Sequence, residues 1–334
     1  MGGEAAGRHP HGAVGGVTSV VILDDGYDSY EAERTVLAPL GAEVLLRPCR
    51  GSAKAVRDAI ADADAALVRE SPVDAAALAA APRLRGVVRY GVGVDNIALE
   101  AAAARRIPVC NVPDYGVEEV SDHALALLLA VLRRLPEADA RVRAGGWGVP
   151  RGRPVHRIAG STLGMIGFGR IGAAFLRKAR GLGFGRILVA DPALDAPPDG
   201  CTLADAATVA AEADAISLHA PATPATRRMV DAAFLARCRT HAVIVNTSRG
   251  ALIDEAALAA ALAGGRLHGA GLDVFEDEPL PMQSPLRNLP NVILTDHAAW
   301  YSEAAIADLQ RKAAEEIARL LAGTPPLHQV NRWN

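Results

Sequence analysis

Short β-branched runs alternate with alanine-rich amphipathic stretches along nearly the whole chain, and this alternation restricts the fold more than any other feature. Residues 20–23, 43–46, 65–68 and 86–90 read as strands, with helices predicted at 29–40 and 53–61 between them. Glu31 and Glu33 stand near the start of the first helix, where the helix dipole favours acids. Strand, helix, strand at this rhythm predicts parallel sheets with crossover helices. A second series follows Gly160, with strands at 162–166, 187–190, 215–218, 243–246, 269–274 and 292–294 and a helix at 171–182. A last amphipathic helix, 302–322, stops at Gly323 ahead of Pro325 and Pro326. Two such series in 334 residues predict two α/β domains.

Composition removes several classes of function. Half the residues are apolar and the formal net charge is -3, so neither nucleic acid nor an anionic membrane is an expected partner. The longest apolar stretch, 124–132, is too short to span a bilayer and reads as part of a buried helix, which would also pack His123. Cys49, Cys110, Cys201 and Cys238 are far apart and lack CxxC spacing, which predicts reduced thiols and a cytoplasmic setting. No cluster has metal-ligand spacing, so no metal is expected. Residues 1–16 contain no apolar run and read as a disordered tail, not a signal peptide.

The sharpest local signal is GxGxxG at Gly167, Gly169 and Gly172. Alone it is weak in a chain with 32 glycines. It gains force because it follows a predicted strand, opens a predicted helix, and precedes a second strand that ends in Asp191. Gly167 would allow the tight turn, Gly169 would clear space for a pyrophosphate, and Gly172 would let the helix approach the sheet. Backbone N–H groups at the helix start, around Arg170 and Ile171, would hold the phosphates, with Arg170 adding charge. Asp191 would accept from ribose hydroxyls and repel a 2′-phosphate, so the expected cofactor is NAD, not NADP.

Three more segments lie at predicted strand ends: 245–250 with Arg249, 272–279 with Glu278, and 294–303 with His297. Ligands bind at the carboxyl ends of strands in open parallel sheets, so an arginine, a glutamate and a histidine there form a candidate site. These motifs, in this order and spacing, resemble the D-isomer-specific 2-hydroxyacid dehydrogenases, and most of all the C-terminal-binding-protein-like branch. The resemblance extends to 89–96, 110–113 and 117–119 and covers about residues 18–323.

The resemblance implies a fold and a set of roles. A Rossmann-type NAD domain, 114–298, would be inserted into a flavodoxin-like α/β substrate domain built from 17–113 and 299–334, with the site in the cleft between them. His297 would be the general acid/base, Glu278 its carboxylate partner, and Arg249 the group that binds the substrate carboxylate and polarises the 2-oxo group. Thr247, Ser248 and Asp273 would fix the nicotinamide carboxamide. His219 and Thr226 would lie near the rest of the dinucleotide. Backbone N–H groups of Gly91, Val92 and Gly93 would form a nest for the substrate, with Arg89 and Trp300 shaping the pocket. Relatives imply a homodimer through the NAD domain, near helix 117–132. The implied activity is interconversion of a 2-oxo acid and a D-2-hydroxy acid. The alternative is an NAD(H)-sensing dimeric binding protein, corepressor-like, with little turnover. One departure stands out: relatives carry proline where this chain has Asp296, which puts a second carboxylate beside His297 and predicts an imidazole that stays protonated to higher pH.

Overall fold

The computed structural model describes residues 17–150, 152 and 154–333, so the expected tail at 1–16 lies outside the described residues. The chain divides into two compact units. The first combines the described residues up to Tyr115 with those from Glu303 onward, and the second runs from Gly116 to Ser302.

The first unit carries a five-stranded sheet of β1 (Ser19–Ile22), β2 (Glu43–Leu46), β3 (Ala65–Val68), β4 (Val87–Arg89) and β5 (Val109–Cys110). Its order is β2-β1-β3-β4-β5 and every pairing is parallel. Strand β3 shows why its sequence is apolar without alternation. Ala66 and Val68 enter one core cluster, Ala65 and Leu67 the other, and all four are fully buried. The helix Glu303–Leu321 closes one face through Leu309, Ala313, Ile317 and Leu320. Gly323 then turns the chain at φ +70°. The chain end returns to β5, where the Asn331 side chain accepts from Val109 N at 2.8 Å and donates to Ile107 O at 2.8 Å.

The second unit carries β6 (Thr162–Ile166), β7 (Arg186–Ala190), β8 (Thr202–Leu203), β9 (Ala215–Leu218), β10 (Val243–Asn246), β11 (Gly269–Leu272) and β12 (Val292–Leu294). Their order is β12-β11-β10-β9-β6-β7-β8, again all parallel. The chain runs outward from β6 to β7 and β8, then returns to the other side of β6 to form β9. The crevice at the ends of β6 and β9 is therefore the topological switch point, where open α/β sheets bind ligands. The helix Val117–Leu132 lies on one face, burying Val120, Ala124, Leu127, Leu128 and Val131. Their spacing at three and four residues is that of one helix face.

Two strands that the residue pattern left out, β5 and β8, are two residues long and sit at sheet edges. The strand predicted at 269–274 ends at Leu272, although the Asp273 amide still bonds to Asn246 O along the ladder with β10. The helix predicted at 171–182 is α-helical over Arg170–Ala179 and tightens to a 3-10 turn over Arg180–Leu182. That predicted at 29–40 starts two residues later, at Glu31, and tightens to a 3-10 turn at Ala38–Leu40 ahead of left-handed Gly41.

Candidate active site

The glycine turn joins β6 to the helix Arg170–Ala179. Gly167 has φ +89°, and a Cβ there would lie 2.4 Å from the backbone N of Ala220. Only glycine satisfies both demands, so the β6 end and the β9 end press together across the switch point. Around Gly169, in contrast, a Cβ would meet nothing within 4 Å, so this side of the turn is open to a ligand. At Gly172 a Cβ would come 3.1 Å from Gly167 O, closing the helix onto the turn. Arg170 is exposed and Ile171 half-buried at the helix start.

Asp191, at the end of β7, accepts from Phe168 N at 2.7 Å and from Ala193 N at 2.9 Å. One carboxylate oxygen thus braces the glycine turn, and each oxygen keeps a lone pair for a hydroxyl. His219 meets Ser217 Oγ through Nε2 at 2.9 Å, and its ring packs on Phe175. Burial pushes this imidazole down to about 4, so it is a neutral group. Its Nδ1 and the Thr247 hydroxyl are buried without a hydrogen-bond partner among the described residues. Orphaned buried polar atoms beside an open glycine turn fit a dinucleotide that brings its own donors and acceptors. The Thr226 hydroxyl donates to Pro221 O at 2.7 Å and accepts from Thr223 N at 2.8 Å, stabilising its own turn.

The second cluster stands at the ends of β10, β11 and β12. Asn246 organises the first loop by accepting from Ser248 N at 3.0 Å and donating to Arg249 O at 2.8 Å. Ser248 Oγ donates to Leu218 O at 2.8 Å, tying the loop to β9. Arg249 donates through Nη1 to Ser248 O at 2.7 Å. The next residue, Gly250, lies so close to the following arm that a Cβ would fall 1.8 Å from the carbonyl carbon of Phe275. This contact brings the arginine arm against the arm that carries Glu278.

Glu278 accepts from Phe275 N at 2.9 Å through Oε1 and meets His297 Nδ1 at 2.6 Å through Oε2. Burial acts to raise the Glu278 carboxyl. The His297 bond, the Phe275 amide and the charges of His297 and Arg249 outweigh it, and the group falls below the usual glutamate range. His297 adopts φ +56°, a left-handed conformation that is strained for a non-glycine residue. Asp296, beside it, is exposed.

Asp273 is tied to the protein on several sides. Its side chain is 1% exposed, and its described partners are the residues around His297, not an open face. Oδ1 accepts from Thr295 Oγ1 at 2.6 Å and from Ala298 N at 3.0 Å, and Oδ2 accepts from Ala299 N at 3.0 Å. Its main-chain oxygen accepts from His297 N at 2.8 Å. His123 is packed on its helix as expected, but sequence reading did not supply its partner: its Nε2 lies 3.0 Å from Thr295 Oγ1. The signal available was its place on the inward stripe of the helix, between Val120 and Leu127.

In the first unit, Gly91 has φ +136°, and a Cβ there would collide with the Arg89 guanidinium, so glycine lets that side chain lie along the β4 end. The expected nest needs one correction. The Gly91 N–H already donates to Arg89 O at 2.9 Å, which leaves the nest to Val92 and Gly93. The Val92 oxygen accepts from Asn111 Nδ2 at 2.6 Å, fixing the loop. In the second unit, Trp300 is half-buried, edge-on to Tyr301 with centroids 6.0 Å apart. Among the described residues no group of His, Cys, Asp and Glu could hold a metal ion, and no helix is long and apolar enough to cross a membrane.

A parallel sheet with a glycine turn at its switch point, and an Arg–Glu–His set at neighbouring strand ends, defines a dinucleotide-dependent oxidoreductase. Comparison with known proteins agrees. Residues 125–299 match the NAD-binding domain of the D-isomer specific 2-hydroxyacid dehydrogenases. The chain is 40% identical over 288 residues to a glyoxylate reductase of Korarchaeum cryptofilum, covering 84% of this chain and 86% of that protein. It is 41% identical over 290 residues to a D-3-phosphoglycerate dehydrogenase of Mycobacterium bovis, covering 85% of this chain. It spans only about half of that relative, 53% of its length. Among solved structures, the TT0316 protein of Thermus thermophilus superposes with a TM-score of 0.85 at 33% identity, covering 94% of this chain and all of that one. A glyoxylate reductase from Paecilomyes thermophila superposes with a TM-score of 0.84 at 28% identity, covering 94% and 98%. The chain belongs to the D-isomer-specific 2-hydroxyacid dehydrogenase family and is an NAD-binding oxidoreductase.

Proposed function

We propose that the protein interconverts a 2-oxo acid and a D-2-hydroxy acid, with Arg249, Glu278 and His297 as its catalytic residues. The observation that carries this reading is the 2.6 Å bond between His297 Nδ1 and Glu278, in a segment packed against the arm of Arg249. Bound NAD(H) supplies or takes the hydride. With Glu278 holding Nδ1, Nε2 is the His297 atom that gives a proton to the 2-oxo oxygen in reduction and recovers it in oxidation. Arg249 holds the substrate carboxylate and stabilises charge developing on the reacting oxygen. Thr247 and Ser248 line the nicotinamide end, while the glycine turn, Arg170, Ile171 and Asp191 take the pyrophosphate and ribose. Arg89, Val92, Gly93 and Trp300 are the remaining candidates for substrate binding.

The relatives named glyoxylate reductase and D-3-phosphoglycerate dehydrogenase make small 2-oxo acids such as glyoxylate and hydroxypyruvate the first substrates to try. The proposal includes a homodimer. Its support is a run of exposed apolar side chains on and beyond the helix Leu135–Arg143: Leu135, Val142, Trp147 and Val149, the last two about nine-tenths exposed. It also includes a reducing, cytoplasmic setting, supported by four cysteines that are all free.

The test is NADH oxidation against a panel of 2-oxo acids, using the parent protein and Arg249→Lys. The expected result is turnover in the parent and, for Arg249→Lys, a loss of about 10²-fold in kcat/KM with NADH affinity retained. Failure to turn over any acid, together with NADH-dependent dimerisation, would favour a sensor and overturn the enzyme reading.

A further inference from the structure

Asp273 is a buried carboxylate that holds four of five consecutive residues. It reaches Thr295 through the hydroxyl, His297 through its own main-chain oxygen, and Ala298 and Ala299 through their amides. Successive N–H groups after a left-handed residue form an anion-binding nest, and here the anion is a side chain of the protein. These bonds hold the backbone on both sides of the φ +56° turn at His297, whose imidazole is met by Glu278.

His123 reaches this same arrangement from a different element, 172 residues away in sequence from Thr295. The Thr295 hydroxyl gives its one proton to Asp273 at 2.6 Å. It can therefore only accept from His123 Nε2, 3.0 Å away, so Nε2 carries a proton. The same nitrogen lies 3.6 Å from Asp273 Oδ1. A buried carboxylate requires donors around it, and the imidazole N–H holds in place the Thr295 hydroxyl that supplies one of them. The rotation of the helix Val117–Leu132 is set by Val120, Ala124 and Leu127 in the core, so the imidazole position is set by packing.

We propose that His123 is a positioning residue for His297, acting through Thr295 and Asp273. It does not touch the substrate; it keeps the Thr295 hydroxyl aimed at Asp273, and Asp273 keeps the nest closed around the His297 backbone. This rests on the reading of His297 as the acid/base group, and two readouts separate the claims.

The experiment uses the full chain with His123→Ala, His123→Gln, Thr295→Val and the His123→Ala/Thr295→Val pair. Amide hydrogen exchange of residues 293–301 is measured alongside NADH-dependent reduction of glyoxylate and hydroxypyruvate. His123→Ala is expected to speed exchange at 297–299 selectively. It should lower kcat about 10-fold with little change in KM for NADH, as a small misplacement of a reacting group does. His123→Gln keeps an N–H donor and should recover most of both effects. The double variant should be no worse than the worse single one, because both remove the same link. Unchanged exchange at 297–299 in His123→Ala overturns the proposal whether or not the parent turns over. Faster exchange with undiminished kcat also overturns it. A parent inactive on every acid refutes the enzyme reading instead, while the exchange result still decides whether His123 holds the nest.

Discussion

The glycine turn at 167–172 and the segment 295–299 both present backbone and side-chain groups to the same sheet edge, yet they are built in opposite ways. The turn works by leaving things out: Gly167 removes a Cβ that would strike Ala220, and Gly169 leaves open space. The His297 segment works by adding partners: Asp273, Thr295 and His123 fill its rear with hydrogen bonds. A subtractive site tolerates no added atom, whereas an additive one tolerates no lost partner.

The strongest test removes the group that the additive segment presents. His297→Ala should lower kcat about 10³-fold, within the range for loss of a general acid/base, with NADH affinity retained in a fluorescence titration. A fall of less than about tenfold would show that another group moves the proton. The matching change at the turn is Gly167→Ala. The methyl must push a backbone 2.4 Å away while φ stays at +89°. NADH affinity should drop about 10²-fold, equivalent to a few kcal/mol, and the melting temperature should fall too. An alanine variant that binds NADH like the parent would break the subtractive description.

A smaller effect is expected at Asp191. Asp191→Ala removes both the proposed ribose acceptor and the brace on Phe168 N, so NADH should bind more weakly. Preference for NADH over NADPH should shrink about tenfold, measured as the ratio of kcat/KM values. An unchanged ratio would leave Asp191 only its bracing role.

The smallest expected effect is on stability with pH. Burial first, then the charges of Arg134 and His156, push His268 down to about 4, and burial pushes His219 to about the same value. In the unfolded chain both would titrate near about 6.5. Between those values the unfolded state binds more protons, so stability is fully present above about 6.5 and is lost as pH falls toward 4. Melting temperatures from pH 7.5 to 5 should decline, and His268→Gln should flatten the decline. A parallel decline in parent and variant would remove His268 from the account.

The two regions also differ in how far they could be read from sequence. Gly167, Gly169, Gly172 and Asp191 were legible because the turn is local: its residues lie within one strand–helix–strand unit and their spacing is the geometry. The alternation of apolar runs with alanine-rich helices gave parallel sheets for the same reason. Arg249, Glu278 and His297 were legible as strand-end residues and through family resemblance. The rear of the His297 segment was not, because it joins residue 123 to residues 273 and 295, and only the packing of a helix on β11 and β12 creates that proximity. The protein partners of Asp273 were hidden on the same ground, since a carboxylate at a strand end looks the same in sequence whatever surrounds it. The Gly91 amide was assigned to the nest although a bond to Arg89, two residues earlier, already occupies it.

The bare α-carbon of Gly250 has a wider effect than its size suggests. Two lever arms, one ending in a guanidinium and one in a carboxylate, rest on each other at that point with no cushion between them. Neither arm can be moved alone, so attempts to re-engineer the reacting centre by shifting one of them will drag the other out of register.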